Sequence, residues 1–174
     1  IKKIVDKNYT SFMKYTKINE ETESLKLSDK QLKIIKGNMK ARERMNVQYA
    51  FASMYNGLII GTDHATEACV GYFTKHGDGA CDIVPLAGLT KDIIYEMGRQ
   101  LGAPGSVLEK TPSAGLWKDQ EDEEELGITY NDIIDFLYNN EIDSEIEEKI
   151  INKFEKTKHK RNMPATLFND EWWD

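Results

Sequence analysis

Apolar residues recur at helical spacing from the start of the chain. Ile1, Ile4, Val5, Tyr9 and Phe12 share one face and predict a helix to about Tyr15. A polar connection through Thr22 and Ser24 follows. Ser28-Asp29-Lys30-Gln31 has the form of a capping box, with Gln31 at the third helical position. The helix it opens passes Ile34 and Ile35, meets a candidate interruption at Gly37-Asn38, and continues over Met39–Tyr55. Leu58-Ile59-Ile60 is an apolar run with Gly on both sides, the pattern of a buried parallel strand. Gly61-Thr62-Asp63 leads into a helix from about His64 to Tyr72, and Thr74–Gly79 is a polar loop.

Asp82–Leu86 predicts a second strand. Thr90 is placed to cap the next helix, whose Ile93, Ile94, Met97 and Leu101 share one face before Gly102 and Pro104 end it. The middle of the chain therefore alternates helix, strand, helix, strand, helix. That alternation predicts an α/β fold with a parallel sheet. Six acidic residues in seven, Asp119–Glu125, predict an exposed, mobile loop. Thr129 caps a helix carrying Ile133, Ile134 and Leu137. Ser144-Glu145-Ile146-Glu147 reads as another capping box, opening a helix with Ile146, Ile150 and Phe154 on one face. The basic end of that helix, Lys156 to Arg161, complements its macrodipole.

Composition narrows the function. With 174 residues the chain suits a single domain. A net charge of −7, from 23 basic and 30 acidic residues, argues against a general nucleic-acid binder. No apolar run approaches the ~20 residues of a membrane span. Cys69 and Cys81 are too few for a disulfide framework and lack CxxC spacing, so they read as reduced thiols filling small apolar spaces in a cytoplasmic protein. The chain opens on Ile and runs at once into helical spacing, which suggests further sequence upstream.

In open α/β sheets, ligands bind beyond the carboxyl ends of the strands. Gly61-Thr62-Asp63-His64, with Glu67 one turn on, can bring a hydroxyl, backbone N–H groups and a carboxylate to a phosphate and its metal. Equally, Thr62 and Asp63 can simply cap a helix, with Glu67 on its solvated face. Spacing favours the plainer reading. Thr74–Gly79 joins mobile glycines to Lys75, His76 and Asp78, as a substrate loop or an ordinary turn does. Arg42 and Arg44 lie two apart on a helix and so point to different faces, one functional and one structural.

Five blocks, in order, change that balance. Lys36-Gly37-Asn38-Met39-Lys40-Ala41-Arg42-Glu43-Arg44-Met45 and Gly61-Thr62-Asp63-His64-Ala65-Thr66-Glu67-Ala68 closely resemble stretches of bacterial NAD synthetases. So do Phe73–Gly79, Pro85–Lys91, and an ending with Lys158-His159-Lys160-Arg161, Pro164-Ala165 and Trp172-Trp173. The resemblance implies a Rossmann-like parallel sheet with flanking helices and a helical C-terminal part, normally in a cytoplasmic homodimer. It implies ATP-dependent amidation of deamido-NAD by ammonia through an adenylate, with Mg²⁺ as cofactor. By motif, Thr62, Lys91 and Ser113 would contact ATP and Glu67 would bind Mg²⁺. Ser113 stands where the family often has Thr. Arg42, Lys75, Asp82, His159 and Lys160 would bind deamido-NAD, and Asp78 would lie near the ammonia as the candidate catalytic group. The cysteines remain structural.

One departure is large. The family's Gly-rich phosphate loop, Ser-Gly-Gly-x-Asp-Ser, is absent from these 174 residues. The expectation is a synthetase domain, residues 1–174, incomplete at its N-terminus and inactive by itself. The competing reading is a non-catalytic relic of the fold that binds a nucleotide or dimerises. A third, another adenylating amidotransferase, fits less well with the Lys75, Asp82 and Lys158–Lys160 features.

Overall fold

The computed structural model describes residues 27–164 and 166, with residues 3, 4, 6, 7 and 10, all helical, near the start. The rest of the expected first helix and the Trp172-Trp173 ending lie outside the described residues.

Helix α1 spans Asp29–Tyr55. Its capping box is present: Gln31 N donates to Ser28 Oγ at 3.3 Å, and Ser28 N donates to Gln31 Oε1 at 2.8 Å. The helix does not break at Gly37-Asn38. Gly37 is buried in mid-helix because another segment packs on it: a Cβ there would lie 3.0 Å from the Trp117 ring and 3.3 Å from Leu116. The glycine provides close approach, not a hinge. Asn56, in the left-handed region at φ 49°, ends the helix.

The two expected strands meet as a single parallel bridge, Ile60 to Ile83. Gly61 N donates to Ile83 O at 2.8 Å and Ile83 N to Ile59 O at 3.2 Å. Among the described residues the pairing extends no further, and Val84–Gly88 forms turns. Leu58 and Ile60 are 66% and 64% exposed, so the apolar content that predicted buried strands has no cover among the described residues.

The core lies elsewhere. Helix α2 (Ala65–Val70) contributes Cys69 and Val70; α6 (Tyr130–Leu137) contributes Tyr130 and Ile133; α7 (Ser144–Lys156) contributes Ile150. Leu126 and Ile128 complete this cluster. Between α2 and α6 run α3 (Lys91–Gln100), the short α4 (Gly105–Leu108) and α5 (Asp122–Leu126). Helix α8 (Lys158–Arg161) is the last helix among the described residues.

Several local expectations change. Thr90 precedes α3 but makes no side-chain cap; its hydroxyl pairs with Tyr138 OH at 2.7 Å. Asp143, not Ser144, caps α7, accepting from Glu145 N at 2.8 Å. Thr129 forms a full capping box with Asp132. The acidic stretch is not a fully exposed loop. Its second half is α5, and Gln120 and Asp122 are buried, because tyrosine hydroxyls and backbone N–H groups converge on them.

Candidate functional site

Helix α2 begins where the bridged segment ends, so its N-terminus opens beyond the carboxyl end of Leu58–Ile60. His64 is its N-cap, with Nδ1 accepting from Glu67 N at 3.3 Å. That leaves the proton on Nε2, which stands 3.2 Å from Glu67 Oε1. One buried imidazole thus closes the helix start and orients the Glu67 carboxylate. His64, not Thr62 or Asp63, does the capping, which leaves Thr62 exposed and unspent.

A cleft of about 590 Å³ opens around this point. Its walls hold Thr62, Glu67, Lys91, Ser113, Asp78 and Lys160. Lys91 is the first residue of α3, and its backbone N donates to the fully buried Thr66 hydroxyl at 3.0 Å, locking α3 to α2. Its ammonium lies 3.8 Å from Glu67 Oε1 and 3.7 Å from the centre of the Tyr130 ring. Burial lowers the Lys91 pKa, while Glu67 opposes the shift. Asp63 faces the same space. Burial, with Asp78 and Glu67 nearby, raises its pKa to about 6.

The Ser113 side of the cleft is held from α1. Lys40 Nζ donates to Gly115 O and Leu116 O, each at 3.1 Å. Arg44 donates to Ala114 O at 3.3 Å and Gly115 O at 3.0 Å. Arg42, on another face, donates to Lys75 O at 3.3 Å. Each arginine therefore braces a different loop.

Arg42, Lys75, Asp82 and His159 are not in the cleft wall. Three of them form a chain beside it: Arg42 holds the Lys75 carbonyl, and the Lys75 ammonium reaches the His159 carbonyl. Asp82 stands apart, its Oδ2 accepting from Ile59 N at 2.7 Å. Lys160 does reach the cleft, but its ammonium is shared between Gly71 O and Phe73 O, both at 2.8 Å. Arg161 takes Ala68 O at 3.0 Å. The basic cluster thus satisfies the open carbonyls at the C-terminus of α2, not only that of its own helix.

Tyr130 and Asp122 escape sequence reasoning, since their partners lie in distant segments; His64 stands in a motif block, but its role as the helix cap is seen only in the fold. The two cysteines are free; Cys69 is buried in the core, and Cys81 packs its Sγ against Gly61.

No group of three or more His, Cys, Asp or Glu among the described residues could hold a metal ion. Glu67, one of several carboxylates lining the open cleft and the one paired with Lys91, fits a Mg²⁺ whose remaining ligands are phosphate oxygens and water.

The NAD synthase family model matches residues 2–164. The chain belongs to the NAD synthase family. An NH3-dependent NAD+ synthetase of Psychromonas ingrahamii is 47% identical over 153 residues, 86% of this chain and 55% of the relative. One from Halalkalibacterium halodurans is 49% identical over 141 residues, 79% of this chain and 52% of the relative. The chain thus spans about half the length of these curated NAD synthase relatives. The structure of an NMN synthetase from Francisella tularensis superposes with a TM-score of 0.78 at 42% identity, over 91% of this chain and 62% of that one. An NAD+ synthetase from Burkholderia pseudomallei gives 0.67 at 38% identity, over 94% and 58%.

Proposed function

We propose that the natural protein bearing this sequence amidates deamido-NAD with ammonia, using ATP and releasing AMP and pyrophosphate. The observation that carries this reading is the cleft at the start of α2. Thr62 and Glu67 from one segment, and Lys91 and Ser113 from two others, line one space there. They supply two hydroxyls, a carboxylate and an ammonium, a donor set suited to a triphosphate and its metal.

The substrate carboxylate is a poor acyl donor, because its leaving group would be oxide. Its oxygen attacks the α-phosphorus of ATP, and the bond to pyrophosphate breaks. Lys91 neutralises charge on the phosphates, and Thr62 and Ser113 position them. Ammonia then attacks the adenylate carbonyl and AMP leaves. The new nitrogen sheds a proton, for which Asp78 is the acceptor, with Asp63 beside it. Glu67 would hold Mg²⁺, which supplies charge neutralisation at the departing pyrophosphate.

Arg42, Lys75 and His159 form the flank where the dinucleotide acid lies, with Lys160 at the boundary between that flank and the cleft. Asp82 joins them only if deamido-NAD reaches the Ile59 segment. The exposed Leu58, Ile60, Ile83 and Val84 suit a parallel bridge that continues into a Rossmann-like sheet in a single catalytic domain. The exposed Val47, Phe51, Met54 and Tyr55 of α1 suit the face of a homodimer. No helix among the described residues is long and apolar enough to cross a membrane, and the proposed location is the cytoplasm.

The likeness to an NMN synthetase favours a second reading, in which the acid is a mononucleotide. One assay decides. The protein is given ATP, Mg²⁺ and ammonia with either deamido-NAD or nicotinate mononucleotide. The expected result is one AMP per NAD formed, with deamido-NAD the better substrate. A preference for the mononucleotide establishes the second reading, and no AMP with either acid refutes both.

A further inference from the structure

Asp122 is a carboxylate with 4% exposure in a stretch of exposed acids. Its Oδ1 accepts from Tyr72 OH and from Ala114 N, both at 3.0 Å, and its Oδ2 accepts from Tyr130 OH at 3.0 Å. Its backbone N donates to Pro112 O at 3.2 Å. The partners divide into two groups. Pro112 and Ala114 flank Ser113, while Tyr130 lies beneath Lys91. Gln120 joins the same turn to Tyr72, accepting from Leu116 N at 2.8 Å and donating to Tyr72 OH at 3.4 Å, while Asp122 carries the link to Tyr130.

We propose that Asp122 is a positioning residue for ATP, holding the Ser113 turn and the Tyr130 ring under Lys91 in one fixed relation. This rests on the reading of the cleft as an ATP site. A buried ion stays buried only where donors compensate it, and three donors converge here. Those contacts give the carboxylate its orientation. The carboxylate in turn fixes where the hydroxyl and the ammonium present themselves to a phosphate. The acids around it on the solvent side, Glu121, Glu123 and Glu124, are exposed and cannot replace it.

The test uses the natural protein with Asp122→Asn and, separately, Tyr130→Phe. Asn keeps the shape but offers an NH₂ group to a hydroxyl that was donating; Phe keeps the ring but removes that hydroxyl. ATP affinity is measured directly by calorimetry without the acid substrate, and KM for both substrates is measured by turnover. Both variants should weaken ATP binding about tenfold, the size of one lost buried hydrogen bond, and leave KM for deamido-NAD unchanged. In the double variant the losses should fall short of the sum, because they act through one carboxylate. Unchanged ATP affinity in either folded variant overturns the proposal, as does an equal rise in KM for both substrates. If Asp122→Asn fails to fold, Tyr130→Phe decides by itself. A protein that binds ATP but forms no amide refutes the proposed reaction and still tests Asp122 through affinity. One that binds no ATP refutes both.

Discussion

Lys91 and Glu67 confront each other at 3.8 Å across the junction of α2 and α3, one the first residue of its helix and the other in the first turn of its own. Both helix starts carry partial positive charge, so the pair stands where anions gather. Without nucleotide the lysine is satisfied by the carboxylate and the Tyr130 ring. With nucleotide it must be shared with phosphate.

Glu67→Gln should therefore separate binding from chemistry. The amide keeps the shape and the contact with His64 but loses the charge. Amide formation should fall of order 10²-fold or more, with little change in melting temperature. Steady-state rates at saturating Mg²⁺ provide the check; an unchanged rate would return Glu67 to a helix-surface role.

Lys160→Ala should cost stability as well as affinity. On the resemblance alone, its ammonium belongs to the dinucleotide and Tm should barely move. The structure gives that ammonium two carbonyls to satisfy, Gly71 O and Phe73 O. Leaving them unpaired should cost about 1–3 kcal/mol, read by thermal or urea unfolding. His159→Ala is the cleaner probe of ligand contact, because among the described residues only its backbone is bonded. It should raise KM for deamido-NAD at constant Tm.

Gly71→Ala should be severe. Gly71 ends α2 at φ 64°, and a Cβ there would come within 2.3 Å of Thr157 at the end of α7. Strain and clash act together, and α2, α7 and the Lys160 contact all meet at this point. The expected loss is roughly 3 kcal/mol or more, measured as the urea midpoint.

Asp63 makes stability depend on pH in a stated direction. Its folded pKa, about 6, lies above the ordinary carboxyl value of 3.8. The folded state thus holds the proton more tightly than the unfolded chain. Asp63's favourable contribution is complete below about pH 4 and is lost as pH rises through 6. Asp63→Asn removes this loss. In metal-free buffer at pH 7 to 8 it should be more stable than the parent by about 1 kcal/mol after solvent screening, roughly 3 °C in Tm. Melting curves from pH 4 to 8 should show the gap closing toward the acid end. A gap that does not change with pH would place the cause elsewhere.

Local chemistry was legible in the sequence. The Ser28–Gln31 capping box, the Thr129 cap and the amphipathic α6 and α7 follow from hydroxyls, amides and apolar spacing within a few residues, and such contacts form wherever the chain is helical. The order of the longer helices and the apolar runs was legible for the same reason, while the short α4, α5 and α8 were not. Motif blocks pointed to Thr62, Glu67, Lys91, Ser113, Asp78 and Lys160, and the fold places these six in one cleft. Long-range pairing decided the rest. Whether Gly37 breaks a helix depends on Trp117, eighty residues away, needing its missing side chain. Whether an acid in Asp119–Glu125 is solvated or buried depends on Tyr72, Tyr130 and Ala114 arriving from three segments. A charge run carries no mark of which member will be enclosed, because the free energy that encloses it belongs to partners distant in sequence and adjacent only in the folded chain.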